Sequence, residues 1–305
     1  MSTTNNQIPV APPEEEAGQP PSFAEMPEAL PTRLETPSKS GAWLDLLAAI
    51  GLWFLSIIAL AIVPSLLALP YILYRYWGAA NIVQLMAADQ TAIFLSVFGV
   101  IPAHFLTLAA AWLLVTQRGR RPFWHSLGWS FSKGFGFWAC AGIAIALYLA
   151  GAVIAWKVGK GATTDIETLV LNSSLATRIT LALLATFTGP LVEEIIYRGV
   201  IYTAMEKTIG MTGAVILVSF LFTLVHVFQY RNNVGVILVV GILSVSLTLV
   251  RALTGRLLPC FIIHMVFNGV QSILIIFHPY IEQFEKSFEQ KLGIVLMCQH
   301  ALPFF

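Results

Sequence analysis

Charge is scarce in this chain. Asp, Glu, Lys and Arg make up only 11% of its 305 residues, where a soluble domain carries about a quarter. Its 17 basic and 16 acidic side chains nearly cancel, leaving +1 at neutral pH, so the balance calls for no nucleic-acid partner. Cysteine is scarcer still. Cys140, Cys260 and Cys298 are scattered without metal-ligand spacing, and the first two fall in apolar runs, where a thiol packs as a small hydrophobe. The chain also has no HExxH, no GxSG, no pair of GxGD-type aspartates and no internal repeat. Those absences remove the usual helix-borne zinc protease, the intramembrane serine nucleophile and the aspartyl dyad.

What fills the sequence is apolar: 57% of it is hydrophobic and its mean hydropathy is +0.78. Several runs exceed the roughly 18 residues that a spanning helix needs. The pattern predicts an all-α fold, a polytopic transmembrane helix bundle of about seven spans, near 43–69, 91–115, 134–156, 177–204, 211–229, 234–251 and 257–277. Pro64, Pro102 and Pro190 are the expected kinks. Residues 1–40 differ: they hold half of the 16 prolines and six glutamates against Arg33 and Lys39, too little apolar material to repay ordering. They read as a disordered cytoplasmic tail without the apolar core of a signal peptide, followed by an N-terminal set of spans over 41–176. Residues 279–305 form a C-terminal segment in which Ile281, Phe284, Phe288 and Leu292 share one helical face, as in a helix lying along the membrane or leading into an eighth span.

Arg118, Arg120, Arg121 and Lys133 lie between the second and third spans with no acidic residue among them, which places that loop and the N-terminus in the cytoplasm. Lys207, Arg251 and Arg256 agree, whereas Lys157 and Lys160 fall on the other side.

Residues 189–200 read GPLVEEIIYRGV, with Glu193, Glu194 and Arg198 inside an otherwise apolar run. A charge at the centre of a spanning helix costs about 2.5–3.5 kcal/mol on insertion scales and faces a bundle interior or a wet cavity. Glu194 and Arg198 are i and i+4, a pair that lowers the cost of both. Glu193 is rotated by about 100° and has no such neighbour. A purely structural ion cluster accounts for the pair but leaves Glu193 unexplained. His226 in FLFTLVHVF, four residues after Phe222, and His264 in CFIIHMVFNGV, four before Asn268, lie on two other apolar helices. Glu193 and His226 stand at nearly equal distances from Ile209 and Gly210, so an antiparallel pair of helices would carry them at one depth. His264, about ten residues from its own inner turn, is expected several Å nearer the cytoplasm. A lone membrane histidine is usually a hydrogen-bonded packing residue, the reading for His104, His278 and His300; Ser173 and Ser174 read as loop residues.

A glutamate in apolar surroundings is suited to act as a general base, a histidine can position water or bind a metal, and an asparagine N–H can meet an oxyanion. These are the parts of an amide hydrolase. Written together, E-E-x-x-x-R, F-x-x-x-H and H-x-x-x-N on successive apolar helices resemble the CPBP intramembrane proteases, the Abi or CAAX-protease family with its Rce1-type members, over about 177–275. The resemblance implies a catalytic core over 177–278 in a multi-pass protein of a bacterial plasma membrane. It implies Glu193 as base, His226 and His264 at the water or metal site, Asn268 as oxyanion donor, and Glu194, Arg198 and Phe222 in support. It leaves open one divalent metal such as zinc on Glu193, His226 and His264, a minimal set with no separate base. The expected partners are membrane lipid and a protein or peptide substrate, lipidated or not. The competing reading is a non-catalytic immunity or binding protein that keeps the fold; a transporter would want an inverted repeat or a substrate path.

Overall fold

A computed structural model describes residues 39–159, 162, 164–171 and 173–292. The tail expected over 1–40 therefore lies almost wholly outside the described residues, as do Lys160, Cys298 and His300. The described chain is helical: α1 Lys39–Tyr76, α2 Ile82–Ala88, α3 Gln90–Phe98, α4 Val100–Val115, α5 Phe123–Ser126, α6 Phe137–Gly159, α7 Asp165–Leu171, α8 Leu175–Leu183, a π-helix π1 Leu184–Thr188, α9 Gly189–Glu194, a second π-helix π2 Ile195–Ile201, α10 Tyr202–Tyr230, α11 Val234–Thr254 and α12 Leu258–Leu292. No strand occurs among the described residues, and one isolated bridge joins Ser132 to Phe135.

Five helical stretches are long and apolar enough to cross a membrane: Gly41–Tyr76, Gln90–Val115, Phe137–Gly159, Leu175–Tyr230 and Val234–Thr254, with the shorter apolar Leu258–Leu274 beside them. The 56-residue stretch Leu175–Tyr230 is two legs, because Gly210 at φ +78 breaks it. Only a residue without Cβ enters that region at no steric cost. Tyr197 and Phe222, on either side of the break, meet edge to face with ring centroids 5.0 Å apart, whereas a straight helix would separate them by about 37 Å at 1.5 Å per residue. The legs are thus antiparallel, and seven apolar helical segments result, as the hydropathy pattern predicts. Their outer faces carry apolar side chains, among them Phe54, Leu66, Phe105, Leu149, Ile216 and Phe220, as a bilayer requires. Trp77 and Trp138 stand exposed at the ends of two spans, where amphipathic rings prefer the headgroup level.

Two of the three prolines expected to kink spans, Pro102 and Pro190, stand at the starts of helices. α1 runs unbroken through Pro64 and also Pro70, and the second span breaks at Gly99. Pro102 falls in the first turn of α4, where a missing N–H leaves no helical bond unmade. Pro190 opens α9. Residues 280–292 do not form a separate surface helix: the backbone continues α12 in one piece to Leu292.

α6 and α11 approach closely. A Cβ on Gly235 would stand 2.8 Å from Gly159 N and 2.9 Å from Ala155 Cα, the small-residue contact by which membrane helices pack. At that end of the bundle Asn233 caps α11 and donates to Ala162 O at 2.7 Å, while Asn232 and Arg231 reach Asp165 at 3.1 and 3.4 Å. At the opposite end Leu257 N bonds Gly128 O, Arg251 Nη1 donates to Leu127 O and Gly255 O, and Lys207 pairs with Asp45. Cys140 and Cys260 are wholly buried in the helix packing, as their apolar surroundings predict.

Candidate active site

The glutamate-bearing helix begins irregularly, and its sequence says why. In π1 the N–H of Gly189 returns to Leu184 O, a five-residue step in place of the usual four. The next residue, Pro190, has no N–H, so Ala185 O has no donor at that step. The side chain of Asn268 takes up the orphan, donating from Nδ2 to Ala185 O at 3.0 Å. Beside it Thr186 Oγ1 donates to Ser272 Oγ at 2.8 Å, and Ser272 Oγ reaches Ala182 O at 3.3 Å. α12 is thereby tied to the start of the motif helix. One amide N–H of Asn268 is committed to this contact, which leaves the other for an oxyanion.

One turn on, Glu194 and Arg198 are both completely buried and bond at 2.9 Å. The pair is larger than the sequence spacing implies. Arg198 also donates from Nε to Thr248 Oγ1 at 3.2 Å and from Nη2 to Ser244 O and Oγ at 3.0 and 2.8 Å, and its guanidinium lies over the Phe222 ring at 4.6 Å. Glu194 Oε1 in turn takes His264 Nδ1 at 2.8 Å. A carboxylate held by arginine can only accept, so His264 carries its proton on Nδ1 and turns Nε2 toward Glu193, whose Oε2 is 3.7 Å away. Glu194 is therefore an orienting partner of the imidazole as well as the mate of Arg198.

The expected depth mismatch of His264 is absent. The turn after α11 is recessed: Leu257 is fully buried and bonded to Gly128 O, and the buried Arg251 spans Leu127 O and Gly255 O. Gly210, by contrast, lies open. Counting residues from both turns therefore misplaces α12 relative to α10.

His226 donates from Nδ1 to Phe222 O at 2.7 Å; since a carbonyl only accepts, its Nε2 bears the lone pair. Its ring stacks on Phe222 at 4.5 Å and on Tyr230 at 6.3 Å. Phe222, 1% exposed, also meets His264 edge to face at 5.9 Å, so it fixes both imidazoles. Glu193, His226, His264 and Asn268 line one cavity of about 410 Å³, a volume in the range of small-molecule and peptide sites. Glu193 is 31% exposed, in contrast to the sealed Glu194.

His104 is buried and hydrogen-bonded, as expected of a packing residue, but it has a second aspect. It lines the same cavity from α4 and bonds Thr188 Oγ1 through Nδ1 at 3.0 Å. Ser244 and Thr248 were also not legible as site residues, although two hydroxyls at i and i+4 in the apolar LSVSLTLV are a signal of a buried polar partner. Ser173 bonds Leu169 O and Ser174 caps α8 through Thr177 N, so both are loop and cap residues as expected. The side chain of His278 lies outside the described residues.

The cavity lies toward the end of the bundle that bears the 231–233 turn, since Gln229 and Tyr230 help to line it. Ile166 of α7 lines it too. Next to Ile166, Glu167 accepts from Thr164 N, and Thr164 Oγ1 accepts from Glu167 N, both at 3.1 Å, a capping box. Burial pushes its carboxyl up from 4.5 to about 7. The arginine-rich 116–133 loop is at the far end. Glu193 is thus remote from the face that bears the arginine loop, because about 25 Å of helix separates it from Gly210 at 1.5 Å per residue.

A catalytic zinc needs three protein ligands about 2.0–2.2 Å away. Among the described residues no three His, Cys, Asp or Glu side chains are grouped to hold a metal ion. The Nδ1 bonds of His226 and His264 leave both Nε2 atoms free, so what these residues lack for a zinc centre is a third grouped ligand.

Fold and site define a multi-pass helical membrane protein with an acid–imidazole cavity sunk between its spans. Residues 175–270, less than half of the chain, match the family model described as type II CAAX prenyl endopeptidase Rce1-like. No curated protein and no solved structure matches. The matched segment contains every motif residue, from Glu193 to Asn268, and the description is that of the family and its CAAX prenyl endopeptidases.

Proposed function

We propose that the chain is an intramembrane endopeptidase in which Glu193 activates water. The observation that carries this reading is the convergence of three separated motifs on one cavity, with one carboxylate neutralised and the other open to the cavity. Glu193 accepts a proton from water, whose oxygen attacks the peptide carbonyl. The Nε2 lone pair of His226 accepts a hydrogen bond from the water's second hydrogen, and His264, aimed by Glu194, presents a further Nε2 acceptor for water beside Glu193. The free N–H of Asn268 stabilises the oxyanion. When the C–N bond breaks, Glu193 returns its proton to the leaving amine. No step is routed through a metal.

Residues 177–278 form the catalytic core in this reading, with 41–176 as supporting spans, 1–40 as a dispensable tail and 279–305 as a peripheral segment. The substrate is a membrane-associated peptide or protein, and the family description motivates a prenylated peptide as the probe. Glu193→Gln keeps size and most hydrogen bonding but removes the proton acceptor. Its folding should persist while hydrolysis of the probe falls by about 10²–10⁴-fold. Cleavage unchanged in the variant sinks the mechanism. Biological function retained by an inert variant would favour a binding protein, and loss of activity in chelator restored by zinc would bring back the metal reading.

A further inference from the structure

His104 stands in the cavity wall across α4, one of three imidazoles there with His226 and His264. It is 8% exposed, and its Nδ1 lies 3.0 Å from Thr188 Oγ1. Nε2 bonds nothing among the described residues, and it is absent from the buried polar atoms that lack a partner, Arg178 Nε and Glu194 Oε2; it borders the open cavity.

The direction of the Thr188 bond decides what Nε2 offers. Threonine hydroxyls elsewhere in these helices, at Thr107, Thr180, Thr203 and Thr223, donate to the carbonyl four residues back. Thr188 makes no such bond among the described residues. The acceptor its hydroxyl meets is His104 Nδ1, and a hydroxyl that only accepted there would leave its own hydrogen unpaired. Nδ1 then holds the lone pair, and Nε2 carries the hydrogen. The cavity therefore contains two imidazoles of opposite sense: His226 shows it an acceptor, His104 a donor. No lysine or arginine is among the described residues that line it, so an oxygen of a bound peptide must be met by neutral donors such as this one.

We propose that His104 is a substrate-binding residue that donates from Nε2 to a peptide oxygen, either a carbonyl or the C-terminal carboxylate. The proposal rests on the endopeptidase reading for the identity of the ligand, and the Thr188 hydroxyl is what sets the tautomer.

Two substitutions separate binding from support. His104→Asn places an amide where Nδ1 stood and keeps the Thr188 contact but cannot reach the substrate. His104→Gln places an amide where Nε2 stood. KM for the prenylated peptide should rise about tenfold in His104→Asn with kcat little changed, the loss of one hydrogen bond, and His104→Gln should recover most of it. A carboxylate partner is indicated if the defect disappears with a C-terminally amidated peptide, and a carbonyl partner if it persists. The same affinities are measured by direct peptide binding in a Glu193→Gln background, with unfolding temperatures alongside. An inert wild type would then defeat the endopeptidase reading while binding still reports on His104. Wild-type affinity in His104→Asn overturns the proposal, as does equal loss in both variants accompanied by lowered unfolding temperature.

Discussion

His264 and Glu194 lie 70 positions apart and meet through a 2.8 Å hydrogen bond from Nδ1 to Oε1, both wholly or nearly buried. The same carboxylate oxygen binds Arg198. The motif arginine therefore governs an imidazole on another helix through one shared atom.

Removing that arginine should unfold as well as disable. Arg198→Ala leaves the fully buried Glu194 with His264 as its remaining partner, and breaking a buried pair in this way costs about 3–5 kcal/mol. The expected outcome is a sharp loss of folded protein in detergent, measured by size-exclusion yield and thermal melting. A normal melt with activity lost would move Arg198 into the chemistry itself.

Glu167 should leave a pH signature of its own. Its carboxyl is raised from 4.5 to about 7, so the folded state favours the protonated form. The stability it contributes is present below about 4.5 and is lost as pH rises toward 7. Asp89, lowered to about 2 mainly by the hydroxyl of Tyr76, loses its contribution only as pH falls below about 3.8 and adds no slope in that window. The unfolding temperature should fall between pH 4.5 and 7 in the wild type, and Glu167→Gln should flatten the decline. An identical decline in the variant would assign it to other groups.

The two ends of the bundle should be on opposite sides of the membrane. With Cys298 changed to Ser and the native Cys140 and Cys260 buried, single cysteines at Arg120 and Asn232 should react with an impermeant maleimide from opposite faces of sealed vesicles. The face that labels Asn232 is the one nearer the cavity. Labelling of both from one face contradicts the helix count.

A chain beginning at Gly41 should insert and cleave, because residues 1–40 contain no group that the proposed chemistry uses. Insertion with loss of cleavage would make the tail part of substrate capture.

Much of this protein was legible in the sequence. The seven apolar segments follow from residue type alone, because lipid rewards one hydrophobic length whatever the neighbours are. Glu193, Glu194, Arg198, His226, His264 and Asn268 stand out for the same reason: a polar group in such a segment needs a partner. Spacing along one helix also gave the Glu194–Arg198 bond correctly.

Tertiary structure alone decided the rest. That Glu194 also holds His264, that Ser244 and Thr248 complete the arginine's bonds, and that the turn at 255–257 is recessed all depend on contacts between distant helices. His104 belongs with these, since its polar neighbour at helical spacing, Thr107, bonds back to Ala103 O and the Thr188 contact arises only when α4 is set against π1. Helical periodicity reports which residues share a face of their own helix, but the depth and rotation of one helix against another come from side-chain packing. In this protein that packing also turns the missing N–H of Pro190 into a docking point for Asn268.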